Sequence, residues 1–161
     1  MTLSFRRLRY FAGFLILTAI AAVVGVLTYT SFERRQHEAT YSIGAAIYAE
    51  SCASCHGSDL KGEANWQSPN PDGTLPAPPH DDDGHTWHHS DRLLVNYIKL
   101  GGARALAQDG VVGFKSGMPA FEGILSDAEI DAVLDFIKSR WPEEVRKIQQ
   151  ERTKTEEELN Q

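Results

Sequence analysis

The apolar residues divide the chain into a long uncharged segment near its start and a mixed polar and apolar remainder. No charged residue lies between Arg9 and Glu33, so residues 10–32 form an uninterrupted run of 23. A helix of this length extends about 34 Å, enough to cross a hydrocarbon core of about 30 Å. Tyr and Phe rings stand at both ends of the run, where membrane interfaces favour them. The pattern predicts a transmembrane anchor over residues 10–32, preceded by a cytoplasmic, positively charged segment over residues 1–9.

A cleavable signal peptide is the competing interpretation of the same segment. The arginines at positions 6, 7 and 9 suit the start of such a peptide, and Ala19-Ile20-Ala21 suits a cleavage site. However, the apolar run continues eleven residues beyond Ala21, which a signal peptide does not need. We therefore expect an uncleaved anchor. Both interpretations carry the rest of the chain across the membrane.

Helical periodicity and capping signals predict two helices in the remainder. Ser90 opens the first, which ends at Gly101-Gly102, and Ser126 with Glu129 forms a capping box for the second, which Pro142 stops. Their apolar faces contain Leu93, Leu94, Tyr97 and Ile98 in the first and Ile130, Val133, Leu134 and Ile137 in the second.

The segments that flank these helices are more polar. Residues 33–40 are expected to form a short linker or to continue the membrane helix. Residues 142–161 lack an apolar stripe, which predicts a charged tail that is a solvated helix or is disordered.

Composition limits the functions open to the chain. With 161 residues, 42% of them apolar, there is room for one packed domain plus attachments. Residues 41–141 carry a net charge of −7, from fourteen acidic and seven basic side chains, and no basic tract appears in the body of the chain. We therefore expect no nucleic-acid partner. No nucleophile-base pair or phosphate-binding glycine loop is recognisable, so no small-molecule substrate is expected.

The two cysteines of the chain form the motif Cys52-Ala53-Ser54-Cys55-His56. Two thiols at this spacing add to the two vinyl groups of a haem, and the adjacent imidazole becomes an axial iron ligand. A thioredoxin-like pair would need a preceding strand, a zinc site would need a second ligand pair, and two merely structural cysteines remain an alternative. The motif predicts one covalently bound haem c, attached through Cys52 and Cys55 with His56 on the iron.

Met118 is the predicted second axial ligand. It stands in Gly117-Met118-Pro119-Ala120-Phe121, and a thioether in a Gly/Pro loop is better placed for iron than a core-filling methionine, which usually lies in an apolar helix. The alternatives for this position are the four histidines of residues 80–89: His80, His85, His88 and His89.

These motifs resemble those of a bacterial, membrane-anchored class I cytochrome c. The resemblance covers residues 41–141: a helix ending in CxxCH, a long loop, a middle helix, a Met-bearing loop and a terminal helix. It implies an all-α fold around one haem, here preceded by a single N-terminal transmembrane helix. It also implies that Gly44 and Tyr48 lie where the first helix crosses the last, near Phe136 and Trp141.

The resemblance also implies roles for two residues of the long loop. A proline carbonyl orients the axial histidine in this family, and Pro78 matches best, ahead of Pro79 and Pro76. Trp87 either donates its indole N–H to a haem propionate or packs without that bond. The His and Asp residues of this loop form a solvated segment in the simplest interpretation, and a second metal site in the alternative.

The resulting hypothesis is an electron carrier rather than an enzyme. The haem domain would lie in the periplasm, on the outer face of the bacterial inner membrane, because haem attachment in the family takes place outside the cytoplasm. It would be tethered to the bilayer and would exchange single electrons with respiratory-chain partners in the membrane or the periplasm. The alternatives are a dedicated cytochrome c subunit of a membrane oxidase or dehydrogenase, and a metal-handling accessory protein that uses the His/Asp loop.

Overall fold

The computed structural model of the chain describes the backbone of residues 2–159 and the side chains of residues 9–11 and 13–159. In the charged segment predicted over residues 1–9, residue 1 and the side chains of residues 2–8 lie outside the described residues. The described chain is helical and has no strands. Its helices are α1 (Thr2–Ser51), α2 (Ala53–His56), α3 (Asp91–Leu100), α4 (Gly102–Gln108), α5 (Asp127–Ser139) and α6 (Glu143–Leu159), with a 3₁₀ turn at Thr86–His88. The all-α fold class is confirmed.

Two compact units make up the chain, Met1–Ala39 and Thr40–Gln161. In the first unit, the apolar stretch is helical and its described side chains are mostly exposed. This helix is long and apolar enough to cross a membrane, a test that an N-terminal signal sequence also passes. Residues 33–40, expected to be a linker or a continuation of the helix, are helical.

The second unit has its core where α1 meets α5. A Cβ on Gly44 would lie 1.9 Å from the Ala132 carbonyl oxygen and 3.1 Å from the Phe136 Cβ, so the two helices approach closely only because this position is glycine. The Tyr48 ring packs against the Phe136 ring at 5.2 Å between centroids. The structure thus places Gly44 and Tyr48 at this crossing, as expected, and Trp141, 2% exposed, belongs to the same buried cluster.

Capping signals in the sequence correspond to the observed helix starts. The Ser90 hydroxyl accepts the backbone N–H of Leu93 at the start of α3. Ser126 and Glu129 form a reciprocal capping box at the start of α5. The short helix α4 was not predicted: it begins at Gly102, where the double glycine indicated only the end of α3.

Helix α6 packs on the domain, although it lacks the apolar stripe that usually buries a helix. Gln149 is only 1% exposed, and its amide donates to the His89 carbonyl at 3.1 Å and to Asp91 Oδ1 at 2.6 Å. Thr153 Oγ1 accepts the backbone N–H of Asp91. The segment is a helix, one of the two forms expected for it, and most of its residues are exposed. One face is nevertheless held on the domain by polar hydrogen bonds, which leave no periodic apolar signal.

Candidate functional site

The two cysteines and the histidine of the motif directly follow α1, and Cys55 and His56 lie in α2. The backbone N–H of Cys52 donates to the Tyr48 carbonyl, and the N–H of His56 donates to the Cys52 carbonyl. Helical hydrogen bonds therefore continue from α1 into α2 and keep the three side chains close together. Neither cysteine is in a disulfide. Cys52 is half-buried and Cys55 is exposed. Burial raises the pKa of the Cys52 thiol to about 11.

The His56 imidazole is buried and held at one nitrogen. Its Nδ1 lies 2.9 Å from the Pro78 carbonyl oxygen. Since a carbonyl only accepts, Nδ1 carries the proton and donates it, which leaves the lone pair on Nε2. Burial lowers the pKa of His56 below its ordinary value, and the bond to Pro78 partly offsets this effect. A neutral imidazole with its Nε2 lone pair directed away from its anchor is the form that binds a metal.

Backbone hydrogen bonds position Pro78 opposite His56. The N–H of Gly62 donates to the His56 carbonyl, and the N–H of Glu63 donates to the carbonyl of Ala77. Gly62 has a φ of +64°, and a Cβ there would lie 2.5 Å from the Ala77 carbonyl oxygen and 2.6 Å from the Pro78 carbonyl carbon. Glycine adopts a positive φ without strain, and the close approach excludes any residue with a Cβ. This contact was not foreseen from the sequence, although an isolated glycine in a polar segment is its local signal.

Met118 lies in the loop between α4 and α5, which is fastened to the end of α3. Backbone N–H groups of Phe121 and Glu122 donate to the last carbonyls of α3. A Cβ on Gly101 would lie 2.9 Å from the Met118 carbonyl oxygen, so this glycine allows the loop to pass close to the helix end. Met118 is half-buried and packs against the same core cluster as Cys52 and Trp87.

Trp87 has a partner within its own loop. Its indole N–H donates to the Asp82 carbonyl at 3.2 Å, and its ring stacks on His88 at 3.7 Å. The contact with a propionate therefore stays a prediction, and it would compete with this hydrogen bond.

The four histidines of the loop separate into two groups. His80 is half-buried, and its ring stacks on that of His56 at 3.9 Å with an interplanar angle of 19°. An iron bound to His56 Nε2 would have His80 on the same side as His56, which does not favour His80 as the ligand on the opposite face. The other three cluster at the 3₁₀ turn, where His85 and His89 bring their Nε2 atoms within 3.0 Å.

The metal-site alternative has limited geometric support. Within the described part of the chain, no group of three or more His, Cys, Asp or Glu side chains is arranged to hold a metal ion. Burial, followed by the charges of neighbouring His85 and His88 and of Arg152, lowers the pKa of His89 to about 4.

Two further residues of the site were not assigned these contacts from the sequence. The Tyr48 hydroxyl donates to the Gly57 carbonyl at 3.1 Å, directly after the motif. The Trp141 indole donates to the His80 carbonyl at 2.7 Å. The first contact ties the residue after the motif back to α1, and the second ties the long loop to Trp141, 61 residues further along the chain.

Comparison with known proteins yields one match. The family model for cytochrome c matches residues 41–141, well over half of the chain. Searches of curated proteins and of solved structures find no match. The donor set fits the family's haem: two unbridged thiols, a neutral imidazole with Nε2 unprotonated, and a thioether on the same core cluster. On these grounds the chain belongs to the cytochrome c family, as a haem-binding electron-transfer protein.

Proposed function

We propose that this protein is a membrane-tethered, single-haem electron carrier of the class I type. Cys52 and Cys55 hold one haem c as thioethers, and His56 and Met118 are the axial ligands. The bound haem supplies an iron that alternates between the ferrous and ferric states. With His56 and Met118 both on the iron, the chain would leave no coordination position for a substrate, which supports transfer of electrons rather than catalysis.

The observation that carries this proposal is the hydrogen bond from His56 to Pro78. A histidine directly after two unbridged cysteines has its Nδ1 proton assigned by a carbonyl 2.9 Å away. This bond fixes the tautomer, restrains the ring and increases the basicity of Nε2. A histidine serving only as a core residue would need no such arrangement beside two separate thiols.

Met118 complements this arrangement. A thioether favours the ferrous iron and raises the reduction potential. The fastening of its loop to α3 restrains the backbone that carries the Met118 side chain, because the Met118 N–H donates to Ser116 Oγ and the following residues are bonded to the helix end. These bonds would keep the loop in place for Met118 to hold the iron.

The apolar stretch over residues 10–32 supports a tether. A window of 18 residues in this helix has a mean hydropathy of 2.4, and none of that window is buried in the protein. We propose that it remains in the inner membrane of a bacterium with the haem domain in the periplasm. The redox partners would be proteins in the same membrane or in the periplasm.

Haem attachment is tested by the alkaline pyridine spectrum of the unfolded chain. The wild type and the control Ser54→Ala should show a c-type haemochrome, and the double variant Cys52→Ala, Cys55→Ala should show none. Haem that is extracted from the wild type by acidified organic solvent contradicts the proposal, since thioether-bound haem stays with the chain.

Axial ligation is tested in the oxidised protein. Met118→Ala should lose the weak long-wavelength charge-transfer band of sulfur-ligated iron and should bind added imidazole. Val112→Ala, at a position 83% exposed in the same loop, should retain the band. A band unchanged by Met118→Ala would assign the position to another side chain.

The tether is tested by fractionation. The full chain should stay with the membrane after high salt and carbonate, and a chain whose residues 1–32 are replaced by a cleavable signal should be released with the same haem spectrum. Release of the full chain by carbonate contradicts the tether. Purification in mild detergent then distinguishes a carrier, which comes out alone, from a subunit, which brings its complex.

A further inference from the structure

His80 is a half-buried histidine beside the haem motif that the proposed electron carrier does not use. Its ring lies against the face of the His56 ring, with centroids 3.9 Å apart and planes 19° from parallel. On another side, the Tyr48 ring meets it edge to face at 5.9 Å. His80 therefore fills the space beside His56 with a flat surface.

Hydrogen bonding by the ring nitrogens does not explain why a histidine occupies position 80. Its Nδ1 is buried without a hydrogen-bond partner, and no described residue forms a hydrogen bond with the ring. A polar group buried without a partner is unfavourable. What the side chain offers at this place is the shape of its ring.

The backbone of His80 is held firmly, although its ring is not hydrogen-bonded. Its N–H donates to the Leu60 carbonyl at 2.7 Å, and its carbonyl accepts the Trp141 indole N–H at 2.7 Å. Two residues earlier, the Pro78 carbonyl accepts the His56 Nδ1 proton. One short segment thus presents both a hydrogen-bond acceptor and a flat face to the same imidazole.

We propose that His80 is a positioning residue that sets the plane of the His56 ring on the haem iron. The hydrogen bond to Pro78 restrains one edge of the His56 ring, but one hydrogen bond still allows the ring to rotate about the line of that bond. The stacked His80 ring prevents this rotation, because a tilted His56 ring would collide with it. This inference rests on the proposed function, since it requires His56 to be the axial ligand.

Orientation of the axial imidazole plane has a direct spectroscopic consequence. In a low-spin ferric haem the plane helps to set which iron orbital holds the unpaired electron, so it contributes to the g values in electron paramagnetic resonance and to the spread of haem methyl shifts in proton NMR. The orientation of the second proposed ligand, Met118, contributes to the same quantities. Because Met118 is retained in every variant at position 80, a difference among those variants reports the plane of His56.

The experiment compares three side chains at this position in the purified, haem-loaded full chain in detergent. His80→Phe keeps a flat ring and removes the nitrogens, whereas His80→Leu keeps a similar apolar volume without a flat face. We expect the Phe variant to retain the wild-type g values and methyl shifts. The Leu variant should show shifted g values or a second low-spin species, together with a changed reduction potential.

Two outcomes overturn the inference. Wild-type g values and methyl shifts in the Leu variant would show that His80 only fills space, and equal changes in the Phe and Leu variants would show that its nitrogens matter. If the Leu variant does not accumulate, the flexible His80→Met serves as the non-planar variant and is interpreted by the same criteria. The haemochrome spectrum separates the two proposals: a wild type without covalent haem refutes the proposed function, whereas haem retained with an unchanged Leu variant refutes only the role of His80.

Discussion

Gly44→Ala should disrupt the crossing of α1 and α5 that supports the haem motif. The added Cβ would lie 1.9 Å from the Ala132 carbonyl oxygen, and Cβ atoms in proteins essentially never approach a heavy atom within 3.0 Å. The helices would have to separate by at least about 1.1 Å, the difference between these distances. The nearest atoms belong to the backbone of α5, so no side chain can turn aside to make room.

The expected cost follows from two opposing effects. Overpacking of a core costs about 1–3 kcal/mol, occasionally more, and a backbone clash belongs at the upper end. Replacing glycine by alanine inside a helix contributes about 0.5–1 kcal/mol of stability. The net loss should be about 2 kcal/mol, which lowers the midpoint of thermal unfolding by roughly 8 °C in a domain of this size.

The assay is thermal unfolding of the full haem-loaded chain in detergent, followed by far-ultraviolet circular dichroism and by the Soret band. Gly25→Ala is the matched control, since it makes the same change in the same helix with nothing within 4 Å of the new Cβ. The control should unfold at or slightly above the wild-type temperature. A Gly44→Ala variant that matches the control would refute the close approach of the two helices.

Three further perturbations test other parts of the structure. Gln149→Ala should cost about 1–3 kcal/mol of unfolding free energy, because it leaves the partly buried His89 carbonyl without its donor, whereas Asp91 Oδ1 keeps its ion pair with Lys138. The exposed neighbour Gln150→Ala should cost almost nothing, and equal denaturation midpoints would refute the docking of α6. Ser126→Ala should cost about 1 kcal/mol through loss of the capping box at α5, and a wild-type denaturation midpoint would contradict that role. Burial lowers the pKa of His89 to about 4, so the unfolded chain binds a proton first as pH falls. The stability that the neutral His89 ring contributes to the folded protein is therefore fully present above about pH 6.5 and is lost as pH falls towards 4. The unfolding free energy of the wild type should fall more steeply over this range than that of His89→Gln, and parallel curves would contradict the low pKa of His89.

Much of the secondary structure and of the candidate site can be predicted from residues that lie close together in the sequence. Hydrophobic periodicity with Ser90 and Ser126 located the starts of two helices, because a cap satisfies donors only three residues away. The CxxCH motif predicted the haem-attachment residues, since the spacing of thiols and imidazole is a local geometric requirement. Pro78 as the partner of His56 was inferred only through resemblance to a family.

Contacts between distant residues were decided by the tertiary structure. The stacking of His80 on His56 depends on a loop whose path is held by Trp141, 61 residues further along the chain. The burial of Gln149 against residues 58 to 60 positions earlier depends on amide hydrogen bonds. Apolar burial repeats with the period of a helix and is visible in sequence, whereas a single polar contact between distant segments has no period. Such contacts exist only once the chain has folded and brought the two partners together.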